Sequence, residues 1–199
     1  MIFLWLIPFL AAQVIEEKEC ITPPLITDFD LAAYSGMWWS LASYPARYHI
    51  ENSRCVRLFY DLEEDSDRLY VNNTSLRPDD EGNYYLGWSQ GYGYQQYSRR
   101  APNLLYVDFR NIFDPDELIR PNYWVLETDY EEYVYGSNCN YNGTHSSRSF
   151  WFLGREKDFA NSEKFQMLLE KATNDWGLKE EFLEYRNNDN CTFDYIQDE

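Results

Sequence analysis

The sequence predicts an all-β chain, a barrel or sandwich of antiparallel strands with one late α-helix. Three observations predict it. Short runs alternate apolar and polar residues, polar turn clusters separate those runs at intervals of about ten residues, and a 3.6-residue apolar period occurs once, after Ser162.

The elements follow in chain order. Met1–Ala12 (MIFLWLIPFLAA) is apolar and uncharged and ends in small residues. A membrane span needs roughly 20 apolar residues, so the run is read as a secretory signal peptide cleaved near Ala12, although no basic residue precedes its apolar core. Residues 13–199 then form one domain, without a repeat or a linker. Trp38, Ser40 and Ala42 share one face of a first strand, with small residues above the tryptophan. Val56, Leu58 and Tyr60 alternate with Arg57, Phe59 and Asp61, and Leu105, Val107 and Phe109 alternate with Tyr106 and Asp108. Tyr123–Leu126 is apolar on both faces, and Ser149–Arg155 (SFWFLGR) forms the last strand, with Trp151, Leu153 and Arg155 on one side. The turns are Glu63–Asp67, Pro78–Gly82, Asp114–Glu117 and Asn138–Ser147. Tyr84–Tyr97, rich in tyrosine and glycine, reads as a strand entering an irregular turn, and the pattern does not assign its inner face. After the N-cap Ser162, the residues Phe165, Leu168, Leu169, Ala172 and Trp176 form one stripe, with Gly177 at the C-cap position. Such a stripe packs on the outside of a sheet.

The balance of 17 basic against 34 acidic residues gives a net charge of −17. A nucleic-acid partner needs a basic footprint, and an anionic membrane surface repels this chain. Aromatics at 19% separate it from disordered acidic segments, so the charge is a soluble coat. Cys20, Cys55, Cys139 and Cys191 are widely spaced and form no CxxC pair. An even count behind a signal peptide implies two disulfides, for which the sequence alone allows three pairings. Sequons at Asn72, Asn73, Asn142 and Asn190 point to the same secreted, extracellular compartment.

A GxW triplet (Gly36-Met-Trp38), then Thr128-Asp129-Tyr130, then Trp151-Phe-Leu-Gly-Arg155 occur in this order over most of the chain. Together they resemble the signature motifs of the lipocalin family, and CITPPLITDFDLAAYSGMWW and NYWVLETDYEEY resemble its apolipoprotein D and insect bilin-binding branch. The resemblance implies an eight-stranded antiparallel up-and-down β-barrel, one end closed and one open, with one C-terminal α-helix packed outside. It also implies disulfides Cys20–Cys139 and Cys55–Cys191. A structural plug at the closed end would comprise Gly36, Trp38, Thr128, Asp129 and Arg155, with the Arg155 guanidinium laid across the Trp38 indole. Pocket aromatics would be Tyr60, Tyr123 and Trp151. Strand parity adds Val56, Leu58, Leu105, Val107, Phe109, Val125 and Leu153 to the inward set. Glu127, on the Tyr123/Val125 face, would need a partner or a raised pKa.

The expected function is a secreted carrier that buries a small hydrophobic ligand such as a bilin, sterol, retinoid, carotenoid or fatty acid. No cofactor is required, and a bound bilin or other hydrophobic chromophore is compatible with the branch. The competing reading is a salivary or venom-type lipocalin acting through its surface on a basic protein partner, or a homo-oligomer. His49 and His145 are expected as exposed loop residues at the open end, with no metal site. No GxSxG, HExxH or P-loop is present, and paired cysteines leave no cavity thiolate, so no enzyme and no catalytic residue is expected.

Overall fold

The computed structural model describes residues 14–46, 49–64, 66–95, 100–109, 120–191 and 193. The signal-like run and the acidic turn at 114–117 lie outside these residues. The described strands are β1 (Val14–Glu16), β2 (Gly36–Ser43), β3 (Arg54–Leu62), β4 (Arg68–Pro78), β5 (Tyr84–Tyr94), β6 (Leu104–Asp108), β7 (Tyr123–Thr128), β8 (Tyr133–Tyr141), β9 (Ser146–Gly154) and β10 (Glu184–Tyr185). Two α-helices join them, the short α1 (Leu31–Tyr34) and α2 (Glu163–Trp176).

Strands β2 to β9 pair antiparallel in sequence order, and β9 returns to β2, which closes an eight-stranded barrel. Closure removes the edges that an open sheet would expose. Two short strands fill places where the wall splays at its open end. β1 adds to β9 above the β2–β9 pairs, and β10 adds to β2 above the β2–β3 pairs. The segment holding β10 is bonded on both sides, since Asn187 O accepts from Cys55 N and Arg186 N donates to Leu41 O. The disulfides are Cys20–Cys139 and Cys55–Cys191, the pairing that the resemblance implies. The second clips the β10 segment to the start of β3.

The two faces of the wall serve two apolar clusters. The outer cluster packs Tyr133, Tyr135, Phe150 and Phe152 of the barrel against Phe165, Leu168, Leu169 and Ala172 of α2. Helix α2 starts where Ser162 Oγ accepts from Phe165 N and stops at Gly177, whose φ of 63° suits a residue without Cβ. The inner cluster holds Phe29, Leu31, Tyr34, Trp38, Tyr60, Leu69, Val71, Val125 and Leu153.

Two β-bulges change the parity expected from sequence. One lies between Ser40 and Ala42. Ser40 therefore faces inward as expected, but Ala42 joins the outer cluster. The other lies between Val125 and Glu127, so Glu127 turns outward rather than following Tyr123 and Val125. Its carboxylate accepts from Tyr133 Oη and Tyr135 Oη, each at 2.9 Å, and pairs with Lys171 of α2. Burial would raise its pKa, but the bonds from Lys171, Tyr135 and Tyr133 outweigh burial and hold it below the ordinary carboxylate range. The turn expected over 138–147 is shorter than the pattern suggests: β8 continues to Tyr141 and β9 begins at Ser146.

Candidate functional site

The closed end is built first by the chain itself. Asp30 caps α1 by accepting from Ala32 N and Ala33 N, and the turn of helix brings Tyr34 under the barrel. Gly36 has φ +97°, and a Cβ there would lie 3.1 Å from Arg155 Nη1. The guanidinium needs that space. It lies with Cζ 3.5 Å from the Trp38 ring centre. It also donates to the carbonyls of Tyr130, Met37, Ala33 and Ser35 at 2.9–3.1 Å. Trp38 Nε1 donates to Tyr34 O at 2.9 Å. Thr128 and Asp129 shape the neighbouring turn: Thr128 Oγ1 donates to Tyr133 O, and Asp129 Oδ1 accepts from Glu131 N, Glu132 N and Tyr133 N. The five plug positions thus meet at one end of the barrel, and all their polar atoms named here have partners.

Above the plug lies a cavity of about 500 Å3, within the range of small-molecule pockets. Its floor is aromatic. Tyr34 stacks on Tyr60 at 5.3 Å, Tyr123 packs on Trp151 at 5.3 Å, and the hydroxyls of Tyr34 and Tyr123 are 3.1 Å apart. Burial first, and then the neighbouring phenols Tyr123 and Tyr60, push the Tyr34 phenol well above its ordinary pKa. The group therefore stays neutral and offers hydrogen bonds, not charge. Gly136 on β8 makes room for Tyr123, since a Cβ there would meet its Cζ and Oη at 2.9 Å.

Of the residues read as inward, Val56, Leu58, Tyr60, Leu105, Val107, Tyr123, Trp151 and Leu153 line this cavity. Phe109 also touches it, but it sits past the end of β6 at the rim and is 45% exposed. Val125 is fully buried in the inner cluster nearer the closed end and is not on the cavity wall. Asn73, read as a sequon, turns inward beside Val71 and Ser75 to line the cavity. Asn142 and Asn190 are exposed, and Asn72 is half-buried on the outer side.

The structure adds a polar upper half that sequence reading missed. Asn122, just before β7, and Asn138 and Asn140 on β8 line it, with Ser147 and Ser149 on β9. Asn138 donates to Asn122 O, and Asn140 to Asn138 Oδ1. The unassigned face of Tyr84–Tyr97 is settled over β5. Gly87, Ser89, Gly91 and Gly93 pair with the inward residues Ser75, Asn73, Val71 and Leu69, and so face inward themselves. The aromatics Trp88, Tyr92 and Tyr94 face outward, where Arg68 lies over the Tyr92 ring. Small inner residues there leave volume that side chains would otherwise fill.

His49 and Arg186 form part of the rim. His49 is half-buried rather than exposed, because the β10 segment lies against it. Its Nδ1 accepts from Ala46 N at 3.2 Å and faces Arg186 Nη2 at 2.8 Å. Burial, and then the Arg186 charge, lower its pKa to about 4, which leaves it neutral at pH 7. His145 lies in the β8–β9 turn, exposed, with Nε2 3.6 Å from Glu17. Among the described residues no three histidine, cysteine or carboxylate groups converge as a metal site. No helix there is long and apolar enough to cross a membrane.

Comparison with known proteins agrees with this geometry. Residues 29–188 match the model of the lipocalin-like domain. The chain is 30% identical to apolipoprotein D of Rattus norvegicus over 68% of its own length. It is 29% identical to apolipoprotein D of Oryctolagus cuniculus over 76% of this chain and 74% of that protein. The match to the rat protein spans 61% of that protein's length, less than two thirds. Among solved structures, insecticyanin of the tobacco hornworm Manduca sexta has a TM-score of 0.64 at 16% identity, covering 90% of this chain and 91% of that one. Lobster apocrustacyanin A1 has a TM-score of 0.58 at 23% identity, covering 79% and 78%. These structural likenesses show the fold. The chain belongs to the lipocalin family, whose members are known for binding small hydrophobic molecules.

Proposed function

We propose that this lipocalin is a secreted carrier that holds one small hydrophobic molecule in its barrel. The observation that carries the reading is the cavity of about 500 Å3 above a sealed floor, walled by Leu58, Leu69, Val71, Val107, Trp151 and Leu153. Burying about 300 Å2 of apolar ligand surface at ~25 cal/mol per Å2 contributes about 7 kcal/mol before ordering costs. The phenol hydroxyls of Tyr34, Tyr60 and Tyr123 at the floor then discriminate by hydrogen bonding. The ligand class is that of a bilin, sterol, retinoid, carotenoid or fatty acid.

The mechanism is burial, not chemistry. All four cysteines are engaged in the two disulfides, so no thiolate faces the cavity. The same disulfides support an extracellular setting, with Asn142 and Asn190 as exposed candidates for glycosylation. Two measurements test the reading. Native mass spectrometry of protein taken from its source should show a co-purifying small molecule, and visible absorbance should reveal it if it is a pigment. Trp151→Ala should weaken binding of the neutral fluorophore N-phenyl-1-naphthylamine by roughly tenfold, as loss of an aromatic wall predicts. A protein that carries nothing from its source and binds no hydrophobic probe would overturn the carrier assignment.

A further inference from the structure

The cavity wall changes character along a single strand. The inward residues of β4 run Leu69, Val71, Asn73, Ser75 and Arg77 from the closed end to the rim, about 26 Å of strand at ~3.3 Å per residue. Apolar surface gives way to amide and hydroxyl groups and finally to a guanidinium.

Arg77 is held in a seat. Its side chain crosses Gly87 on the neighbouring strand β5, where a Cβ would fall 2.2 Å from Nε and 2.3 Å from Cδ. Only glycine leaves that passage open. The guanidinium is then tied by neutral groups, Nε donating to Ser75 Oγ at 3.2 Å and Nη2 to Ser89 Oγ at 3.4 Å. Among the described residues no carboxylate reaches ion-pairing distance of Arg77. In a chain with twice as many acidic as basic side chains, a half-buried cation on the cavity wall, held in place by two serine hydroxyls, is available to an anionic group of a ligand. A planar guanidinium matches a carboxylate through two parallel hydrogen bonds.

We propose that the ligand is an amphiphilic carboxylic acid, its carboxylate held by Arg77 and its apolar body directed down the barrel past Val71 and Leu69 towards Trp151. This rests on the carrier reading and specifies the ligand's head group. Ser75 and Ser89 orient the guanidinium, and Gly87 acts only by leaving it space.

The test is displacement of N-phenyl-1-naphthylamine by oleate and by oleyl alcohol, which share a chain and differ in the head group. In the wild-type protein oleate should displace the probe at roughly tenfold lower concentration than the alcohol, the discrimination a charge-assisted bond supplies. Arg77→Met should bring oleate to the level of the alcohol and leave the alcohol unchanged. Gly87→Ala, which keeps the arginine but blocks its seat, should reduce the preference in the same direction, with near-ultraviolet circular dichroism confirming the fold of both variants. Equal displacement by the two compounds in the wild type would overturn the carboxylate assignment and leave the carrier reading standing. So would an oleate preference that survives both substitutions. Failure of the probe, oleate and the alcohol to bind at all would remove both readings together.

Discussion

The guanidinium of Arg155 lies over the Trp38 indole, 3.5 Å from Cζ to ring centre, and its N–H groups reach four backbone carbonyls, three between Ala33 and Met37 and one at Tyr130. One side chain therefore joins the chain entering the barrel to the turn between β7 and β8. Arg155→Met should destabilise the fold by about 2–4 kcal/mol, because the cation–π contact is lost and four backbone carbonyls, three of them partly buried, lose a donor. Arg155→Lys should recover little, since an ammonium cannot span those carbonyls as a planar fork does. Urea unfolding of the two variants measures both effects.

The Gly136–Tyr123 contact predicts a second effect. Gly136→Ala places a methyl 2.9 Å from the Tyr123 ring and hydroxyl, closer than van der Waals contact allows. The phenol must move, and its bond to Tyr34 goes with it. A loss of about 1–3 kcal/mol in stability is expected for overpacking of this kind, together with weaker probe binding. Tyr123→Phe, which keeps the ring and drops the hydroxyl, should fold nearly as well as wild type and separates the packing from the hydrogen bond.

Acid should unfold the protein in two windows. His49 has a folded-state pKa of about 4 against an ordinary value of 6.5. The unfolded state therefore binds its proton first, and the stability this group contributes is complete above pH 6.5 and lost as pH falls towards 4. That loss is on the order of 2–3 kcal/mol. Glu16 follows lower down. Burial would raise its pKa, but bonds from Lys179, Lys18 and Arg148 hold it at about 2, so its contribution is present above pH 4.5 and lost as pH falls towards 2. The urea midpoint should fall between pH 7 and pH 4.5 in wild type, whereas His49→Gln should show a shallower drop over that interval alone.

The Cys55–Cys191 disulfide spans 136 residues and secures the β10 segment against β3. Replacing both cysteines by serine should cost about 2–5 kcal/mol. It should also speed hydrogen exchange at position 55, whose amide bonds to Asn187 O, and at Arg186, whose amide bonds to Leu41 O of β2. Because Arg186 and His49 stand on the rim, probe affinity should fall as well. A variant with wild-type affinity and wild-type exchange would show that the segment stays docked without its clip.

Much of this architecture could be read from residue pattern, and the exceptions have physical causes. The stripe from Phe165 to Trp176 specified α2, because its period matches one buried face. Strands β3, β6 and β9 announced themselves where their inner residues are apolar: Val56 to Tyr60, Leu105 to Val107, Trp151 to Leu153. Strand β4 did not, because its inner face turns from Leu69 and Val71 to Asn73, Ser75 and Arg77, and alternation disappears when both faces are polar. The inner face of β5 was hidden for a related reason. Gly87, Ser89, Gly91 and Gly93 carry too little side chain to mark a side. The bulges before Ala42 and Glu127 leave no trace in composition, yet each moves every following residue to the opposite face. A polar cavity wall and a bulged strand both weaken the period-2 signal on which such readings depend.

Among the described residues, the Trp38–Arg155 stopper closes one end of the vessel, and the doorway at the other is flanked by His49, Phe109 and Arg186. A newcomer cannot push an occupant out from behind, so exchange must begin with departure. The release rate of a labelled occupant should therefore be the same whether the excess competitor is dilute or concentrated, and the residence time of the cargo is set by its own departure through the doorway.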